Sequence, residues 1–495
     1  MLVGPVPQHR YTSYAPITFG LAACFTITGC SLHRIGREEV STALTHHRDS
    51  LAAVAEVYAK TPAKTAAEAR TVNESEPALK APTTLRRFIT LAVEHNPDVK
   101  AAEEIARAKA ARIPRVTALP DPFLNMKIFP EPVRTAEGDN FFILGISQKL
   151  PVPEKLDRAG RVVLEDARTA LQQLQAVRLR VIADVKRAYF QLYVVDRSID
   201  VTQANQDLLR GLIDAARSQV AAGRRSQDDV LRAQVELSNL EAELIMLRQR
   251  RVTVVARLNE ILDRQPQSEI ETPDEFVIRD VDIAVDDLLE RAVHANPDLK
   301  RIKHSIERDR EALELARLAY WPDFAVGLEW MQMDPRGAFK APINPATGRR
   351  PVTPQLSEDG SDNWTITLGF SLPIWYDKIE GGIEEATRRL AASRAQHRST
   401  ANRIEFTIED SLERVESQQA LARLFRDTII PQAEQTYRVS QASYTAGTSD
   451  FLYVIDNWRK WLAFTIQYYR SLGELERSVA DLEEAIGLSL YEMDH

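Results

Sequence analysis

Few residues of this 495-residue chain are arranged for catalysis or for metal binding. Its nine histidines are scattered, and His46 with His47 is the only adjacent pair. The zinc-protease motif HExxH, the nucleophile elbow GxSxG and the glycine-rich nucleotide loops are absent from the sequence. Met331 and Met333 carry soft sulfur atoms that suit Cu(I), but two methionines near a strand end more often pack against neighbours. The sequence therefore predicts a protein that is not an enzyme and that has no cofactor or metal site.

The two cysteines, Cys24 and Cys30, are the side chains whose surroundings do indicate a reaction. An apolar stretch from Ile17 to Thr28 has the length of a signal-peptide core, and Gly29 and Cys30 follow it. A small residue before a cysteine at this point resembles the lipobox of bacterial lipoproteins, which implies a cleaved signal peptide and a lipidated (palmitate-carrying) cysteine. Cys30 fits better than Cys24, which would leave an apolar core of only about seven residues. The alternative is an ordinary apolar N-terminus with incidental cysteines.

Composition favours long helices and argues against a nucleic-acid partner. The chain has 63 Lys and Arg against 71 Asp and Glu, a net charge of -8, and this balance leaves no basic footprint for nucleic acid. Glycine is scarce, with 19 residues, and aromatic residues make up 7% of the chain. That mixture is more typical of long helices than of an all-β protein or an α/β enzyme.

One structural unit occurs twice in the chain. Residues 92–100 (AVEHNPDVK) match residues 292–300 (AVHANPDLK), and Asn-Pro-Asp stands at the same place in both. Matched positions further along are Pro120 with Pro322, Leu150 with Leu372, and Gly223 with Gly447, so the spacing grows from 200 through 202 and 222 to 224 residues. The largest increase falls between two matched strands. It predicts an insertion in a loop of the second copy, where extra residues cost little stability.

Each copy is predicted to contain a helix and then two strands. The helix that Asn-Pro-Asp begins should run to about Arg112 in the first copy and to about Ala319 in the second. The predicted strands are Phe123–Phe129, Phe141–Leu150, Phe324–Met331 and Trp364–Leu372, with loops over Pro130–Asp139 and Gln332–Asp362. The last strand alternates between apolar residues and Thr, Gly or Ser, which predicts one apolar and one polar face. A half-buried strand of a soluble sandwich would show the same alternation.

A long helical hairpin is predicted to follow the strands in each copy. No proline occurs from Glu154 to Arg264, and apolar residues recur there at steps of three and four. We expect a helix from about Lys155 to about Val220, roughly 100 Å long at 1.5 Å per residue, and a returning helix from about Gln227 to Leu262. The second copy has Pro431 inside its equivalent long helix, and a proline there should kink it.

These residues together resemble the TolC-like outer-membrane efflux family from about Leu85 to Gly487. The resemblance rests on the doubled unit, the Asn-Pro-Asp openings and the Leu-Pro exits of the second strands. It rests also on Ile430-Pro431, on Tyr444–Thr448 before the second turn and on Asp456 after it. It implies a mainly α fold with a small β part, in which long antiparallel helices form a coiled-coil barrel. Four strands per chain would contribute to a twelve-stranded transmembrane β-barrel in a homotrimer.

The resemblance also implies a function and its partners. The chain would be the outer-membrane channel of a tripartite efflux or type I secretion system, lipid-anchored in the bacterial outer membrane and extending into the periplasm. Its partners would be a periplasmic adaptor (membrane fusion protein), an inner-membrane pump and outer-membrane lipid. The alternative function is a non-channel coiled-coil scaffold lipoprotein of the envelope, which would not need repeated pairs of two-faced strands. The transported substrate is not predicted.

The two helix turns carry the candidate site residues. In the family, acidic residues after the second turn surround a narrow aperture, and Asp456 matches one such position, whereas Tyr453 stands at the other. Asp450 and Asp229 are further aperture candidates, and the candidates for adaptor contact are Gly223, Arg224, Arg225, Ser226, Gly447, Thr448 and Ser449. The alternative role for Asp228, Asp450 and Asp456 is helix N-capping. Arg224 and Arg225 could equally be gate-locking groups or solvated surface charges, while Gly223 and Gly447 should supply the positive φ of a helix end.

The predicted organisation has six parts: a signal peptide at 1–29, an N-terminal extension at 30–83, a first repeat at 84–270, a linker at 271–282, a second repeat at 283–488 and a C-terminal tail at 489–495.

Overall fold

The computed structural model describes residues 85–135, 138–272, 284–334, 346–348 and 360–490. These residues fall into two compact units: a strand unit (described residues within 110–164 and 308–390) and a helical unit (described residues within 85–109, 165–307 and 391–490). The predicted signal peptide and extension, with Cys24 and Cys30, lie outside the described residues, as do most of the predicted linker, loop 332–362 and tail. Among the described helices, none combines the length and the apolar composition needed to cross a membrane.

The strand unit contains a four-stranded antiparallel sheet in the order β1-β2-β3-β4. Its strands are β1 (Phe123–Arg134), β2 (Asp139–Leu150), β3 (Phe324–Asp334) and β4 (Asn363–Phe370). The predicted loop over Pro130–Asp139 was wrong, because β1 continues to Arg134 and β2 already begins at Asp139. Pairing is irregular between Ile128 and Val133, so the two prolines in between occupy a bulge on an edge strand, where a missing N–H costs no ladder bond.

The helices of the first repeat are α1 (Leu85–His95), α2 (Pro97–Ala110), α3 (Ile113–Thr117), α4 (Pro153–Ala221) and α5 (Gln227–Ile261). Those of the second are α6 (Val285–Ala295), α7 (Pro297–Arg317), α8 (Tyr376–Leu424), α9 (Ile430–Thr445) and α10 (Phe451–Ile486), with a 3₁₀ turn at Leu318–Tyr320. The predicted long hairpin of the first repeat is therefore confirmed, and α4 alone has 69 residues.

The predicted disturbance at Pro431 takes the form of a π-helical turn, Phe425–Ile429, between α8 and α9. Proline has no N–H to donate, and its ring collides with the carbonyl four residues earlier, which here belongs to Asp427 inside the π turn. Widening the helix at that point relieves the collision. The equivalent stretch of α4 is an unbroken α-helix.

The two Asn-Pro-Asp motifs make the same contacts in both repeats. The Nδ2 atom of Asn96 donates to the carbonyl of Ile261 at 2.9 Å, and that of Asn296 donates to the carbonyl of Ala485 at 2.7 Å. Their Oδ1 atoms accept backbone N–H groups at the start of the next helix. Each buried asparagine thus joins the beginning of its repeat to the end of that repeat's last long helix.

The core of the helical unit follows from close helix packing. Phe88, Leu174, Val185, Leu192 and Leu258 form one buried cluster in the first repeat. Burial of such side chains contributes roughly 1.5–3 kcal/mol each. A Cβ added at Gly473 of α10 would lie 2.3 Å from a methyl group of Val194 on α4, so glycine is needed where these helices approach.

A buried ion pair also joins the long helices of the two repeats. Lys186 of α4 pairs with Glu483 of α10, and both side chains are less than a tenth exposed. Next to it, Arg187 bridges Asp481 at 2.6 Å and Glu484 at 2.5 Å. These contacts specify which faces of α4 and α10 meet, since a mispaired arrangement would leave charges buried without partners.

Candidate functional site

The two helix turns have the same backbone geometry. Gly223 has φ 68° and Gly447 has φ 80°, the left-handed conformation predicted for a helix end. No heavy atom lies within 4 Å of a Cβ built at either glycine, so the conformation and not the available space requires glycine here. Residues three positions later, Ser226 and Asp450, are the N-caps of α5 and α10.

The cap assignments separate the predicted roles of the acidic residues. Asp450 accepts the N–H of Leu452 at 3.3 Å, which confirms the capping alternative for this residue. The capping alternative for Asp228 was wrong, because Ser226 is the cap and its side chain accepts the N–H of Asp228. The carboxylate of Asp228 binds Arg232 at 2.7 Å instead. Asp456 does not cap a helix, since it lies within α10 and pairs with Lys460 at 2.8 Å.

Three contacts join the first turn to the second. The guanidinium group of Arg225 donates to the carbonyl of Ser449 at 2.6 Å and lies 5.1 Å from the centre of the Tyr444 ring. The hydroxyl group of Tyr444 donates to Oδ2 of Asp229 at 3.1 Å. We call this set of residues (Arg225, Asp229, Tyr444 and Ser449) the tip tether. It connects the two hairpins within one chain at the ends where both reverse direction.

Burial changes the acid–base properties of the tether. Asp229 is only 8% exposed, and burial raises the pKa of its carboxyl group above the ordinary 3.8, although the hydrogen bond from Tyr444 acts in the opposite direction. Burial, followed by the charge of Asp229, raises the pKa of the Tyr444 hydroxyl to about 12. Tyr444 therefore remains a hydrogen-bond donor at any physiological pH.

An aromatic cluster supports the tether from within the helical unit. The rings of Tyr444 and Phe451 are 5.0 Å apart, and both side chains are fully buried. Trp458 is 1% exposed, and its indole N–H donates to Oδ1 of Asn205 at 2.8 Å. Because the Tyr444 hydroxyl and the Trp458 indole N–H are both paired, these contacts favour a defined register of the two hairpins near their turns.

The remaining candidate residues lie at the surface. The side chain of Asp456 is 52% exposed, and Tyr453, one turn away on α10, is 63% exposed. Arg224, Thr448 and Asp450 are exposed as well, and Ser449 is half-buried. The structure thus places Asp229 and Arg225 in contacts within the chain, whereas Arg224, Asp450 and Asp456 face outward from it.

The sheet of the strand unit is the second functional element, and its two faces differ in chemistry. Cross-strand neighbours on one face are apolar along two rows: Leu124, Ile146, Leu328 and Ile366; and Met126, Leu144, Trp330 and Trp364. Ile366 and Leu368 are 73% and 76% exposed in the chain. The predicted alternation in the last strand is therefore a property of the whole sheet.

The opposite face carries mainly polar and small residues. One row contains Asn125, Gly145, Glu329 and Thr365, and the next strand positions bring Ser147, Gly327 and Thr367 together. Lys127 lies 3.7 Å from Glu329 across this face. A Cβ at Gly145 would lie only 2.0 Å from Oδ1 of Asn125, so glycine lets the Asn125 side chain lie flat there. The apolar exceptions on this face include Phe123, Ile143 and Met331, of which Ile143 is buried.

Sequence reasoning did not identify the partners within the tether or the Lys127–Glu329 pair. Tyr444 and Asp229 are 215 positions apart, and no local pattern reports a contact over that distance. Among the described residues, no group of three or more His, Cys, Asp or Glu is arranged to hold a metal ion.

A family model described as outer membrane efflux protein matches residues 88–264 and 288–488 of the chain. The cobalt-zinc-cadmium resistance protein CzcC of Cupriavidus metallidurans is 22% identical over 414 residues, which cover 82% of this chain and 90% of CzcC.

Two solved structures share the fold. The outer membrane protein VceC of Vibrio cholerae has a TM-score of 0.66 at 18% identity, covering 82% of this chain and 96% of VceC. The outer-membrane channel OprN has a TM-score of 0.66 at 16% identity, covering 82% of this chain and 90% of OprN.

Proposed function

The chain belongs to the outer membrane efflux protein family, and we propose that three copies form one outer-membrane channel. The protein is the outer-membrane component of an efflux system and not an enzyme. We propose further that a periplasmic adaptor and an inner-membrane pump supply this channel with substrate. A non-channel scaffold protein would not require a sheet with one apolar and one polar face.

The two-faced sheet carries the proposal of a trimeric barrel. In the described part of the chain, β1 and β4 each pair with one strand only and leave one edge open. An open edge with an exposed apolar face would promote aggregation. Joining β4 of one copy to β1 of the next, three times, removes every edge and gives an even number of twelve strands. The apolar face then contacts lipid, and the face with Lys127, Glu329 and Thr367 lines water.

We propose that the two turns border the periplasmic aperture of the channel. We assign Asp456 and Asp450 to the aperture because both are exposed acidic residues beside the second turn. Asp229 is a weaker aperture candidate, since the chain itself encloses its carboxylate. We assign adaptor contact to the exposed turn residues Gly223, Arg224, Ser226, Gly447 and Thr448. Arg225 and Ser449 instead take part in the tip tether, and we propose that this tether favours a closed state of the aperture over an open one.

The relative named for cobalt, zinc and cadmium resistance makes divalent metal cations the first substrates to test in export assays. Selectivity in such systems is expected to reside mainly in the pump.

Cys30 is proposed as the site of lipid attachment, because the apolar stretch and glycine before it match a lipobox. A single acyl chain anchors a protein only marginally, so the barrel would supply the second membrane contact. Intact-mass measurement of the mature protein tests this: we expect a chain that begins at Cys30 and carries acyl groups. An unmodified Cys30 would overturn the assignment.

Neighbouring residues on opposite faces of β4 test the barrel. Thr367 and Leu368 are exposed in the single chain but point to opposite sides of the sheet. In whole cells, a charged membrane-impermeant thiol reagent should label Thr367→Cys from the water-filled interior and should leave Leu368→Cys unlabelled in lipid. Equal labelling of the two variants would contradict a transmembrane barrel, and labelling after detergent unfolding controls for expression.

A further inference from the structure

Three charged side chains lie on the polar face of the sheet, between the bulge of β1 and the strand ends near Leu150. Lys127 belongs to β1, Lys149 to β2 and Glu329 to β3, and β4 contributes no charged residue. Lysine therefore outnumbers glutamate on this part of the face, which carries one net positive charge in each chain.

The first of these lysines is neutralised within the chain. The ammonium group of Lys127 lies 3.7 Å from a carboxylate oxygen of Glu329, on the far side of β2. A Cβ built at Gly145 of β2 would lie 2.9 Å from Cγ of Glu329, so glycine leaves room for this pair. Counting from the matched Pro120 and Pro322, Lys127 and Glu329 occupy the same position of the two repeats. The two repeats thus place opposite charges at one position, and these charges cancel.

The second lysine, Lys149, has no such partner. No carboxylate in the described part of the chain forms an ion pair with it, and its side chain is exposed. Its cross-strand neighbours on the same face are Ala325 and Gly369, two of the smallest residues. Side chains of that size cannot cover an extended lysine, so the ammonium group of Lys149 projects from the polar face into solvent.

The backbone around Lys149 is held in place. The side-chain amide of Gln148 donates to the carbonyl of Lys149 at 2.8 Å and to the carbonyl of Pro120 at 2.6 Å. Lys149 also stands in register with Ala325 in the ladder between β2 and β3. Because β2 ends one residue later, at Leu150, Lys149 lies at the end of the sheet from which the chain continues into α4.

The second repeat has a neutral residue at the matched position. Counting from the matched Leu150 and Leu372, Ser371 stands where the first repeat has Lys149. The hydroxyl oxygen of Ser371 accepts the N–H of Asp323 at 2.8 Å, and the N–H of Ser371 donates to the carbonyl of Asp323 at 2.8 Å. Only the first repeat supplies an uncompensated charge here, so three copies of the chain would bring three such charges to one level.

Three charges at one level would act on the whole cross-section of the proposed barrel. Twelve strands spaced ~4.8 Å apart and tilted by about 40° close on a radius of roughly 12 Å. The four-carbon stem of an extended lysine spans about 6 Å, which leaves its ammonium group roughly 6 Å from the barrel axis. This distance is shorter than the Debye length of ~10 Å at 0.1 M salt, so every ion that passes comes within reach of the charges.

We propose that the Lys149 side chains of three copies form a cationic ring inside the barrel, and that this ring attracts anionic solutes and repels free divalent cations. The proposal rests on the trimeric barrel proposed above. The ring is opposite in sign to the exposed Asp450 and Asp456 beside the second turn. The channel therefore has two charge-selective levels of opposite sign, and solutes of low net charge pass both of them most easily.

Block by a multivalent anion tests the ring in the full-length protein in planar bilayers. Protein added to one chamber should insert with its barrel leading, so the probe, hexacyanoferrate(II) with four negative charges, is added to the opposite chamber. At about 0.1 M salt we expect the probe to reduce the current of the unmodified channel. Lys149→Gln should weaken this block by at least about tenfold, because it removes three charges that lie roughly 6 Å from the axis. At about 1 M salt the block should nearly vanish, since the Debye length falls to ~3 Å.

The double variant Lys127→Gln/Glu329→Gln is the matched control, because it removes a lysine from the same face without changing the net charge. We expect its block to equal that of the unmodified channel, and Lys149→Arg should also keep the block. Equal block of Lys149→Gln and of the unmodified channel would overturn the ring and leave the barrel standing, as would loss of the block in the double variant alone. A protein that gives no channel current would contradict the barrel, and the ring with it.

Discussion

The two long hairpins use the same turn but not the same helix. In the first repeat, α4 runs unbroken to the turn, whereas in the second repeat a π turn separates α8 from α9. Both turns have a glycine at positive φ and a capping residue three positions later. The ends of the two hairpins therefore share one design, while the helices that lead to them differ in local stiffness.

The tip tether makes this difference relevant to the channel. Through Arg225 and Tyr444, it binds the turn of the interrupted hairpin to the turn of the continuous one. A hairpin with a π turn has a place where the backbone hydrogen bonds already depart from the α pattern, and such places often act as hinges. The tether therefore restrains the hairpin that has the weaker point.

Moving the proline to the continuous helix should produce the largest effect. Asp207 stands at the position of α4 that matches Pro431, counted from the two turn glycines, and its side chain is exposed. We expect Asp207→Pro to destabilise the protein by about 3 kcal/mol, because a proline within a regular α-helix loses one hydrogen bond and collides with the preceding turn. Pro431→Ala should cost much less, since the helix there is already adapted. Thermal unfolding followed by circular dichroism in detergent measures both.

Asp207→Ala controls for loss of the aspartate in that comparison. Equal midpoints for Asp207→Pro and Asp207→Ala would show that α4 accepts a proline as readily as the second repeat does. The proposed difference in stiffness would then be wrong.

Breaking the tip tether should have an intermediate effect. Tyr444→Phe leaves the buried Asp229 carboxylate without its hydrogen-bond donor, which typically costs about 1–3 kcal/mol. Asp229→Asn keeps an acceptor oxygen and removes the buried charge, so it should leave the tether intact. Planar-bilayer recordings should show more frequent open events for Tyr444→Phe than for the unmodified protein or for Asp229→Asn.

The pH response of the tether follows from the raised pKa of Asp229. The Asp229 carboxyl binds a proton more readily in the folded protein than in the unfolded protein. Its protonation therefore stabilises the fold at acidic pH, and this stabilisation is lost as the pH rises through the raised pKa. Open events should accordingly become rarer as the pH is lowered through this raised pKa, and Asp229→Asn should abolish that part of the response. A response that Asp229→Asn leaves unchanged would assign the pH dependence to another group.

The smallest effect on stability, but a change in conduction, is expected at Asp456. Its ion pair with Lys460 is exposed, and exposed pairs contribute at most about 1 kcal/mol. Asp456→Asn should therefore leave the unfolding midpoint nearly unchanged and reduce cation selectivity in bilayer reversal potentials. Asp450→Asn removes the other proposed aperture charge and should also reduce cation selectivity, with little loss of stability because asparagine also caps a helix. An unaltered reversal potential for both variants would leave Asp456 as a surface ion pair only.

The periodic parts of the fold could be predicted closely from sequence. The expected bounds of α4, about Lys155 to about Val220, differ from the observed Pro153–Ala221 by two residues or fewer at each end. Sustained apolar spacing and the absence of proline determine such a helix locally. The end of β1 was missed because prolines usually terminate strands, and only the edge position and the bulge explain why Pro130 and Pro132 remain within this one.

The site was predictable in its location but not in its contacts. Glycine and small polar residues mark the turns, yet Ser226 and Asp228 are both good caps, and the chain geometry at the turn selects the first. Tyr444, Asp229 and Arg225 meet only because two hairpins pack side by side. Pairing over such a separation depends on tertiary packing, which no local signal encodes.

The π turn also affects which way the helix surfaces face. The stretch from Leu372 to Gly447 is two residues longer than its counterpart from Leu150 to Gly223. In a regular α-helix, each added residue rotates everything after it by about 100°. A π turn absorbs one residue in a wider loop of backbone. The π turn therefore reduces the rotation that the extra length would impose on the face that carries Tyr437 and Tyr444.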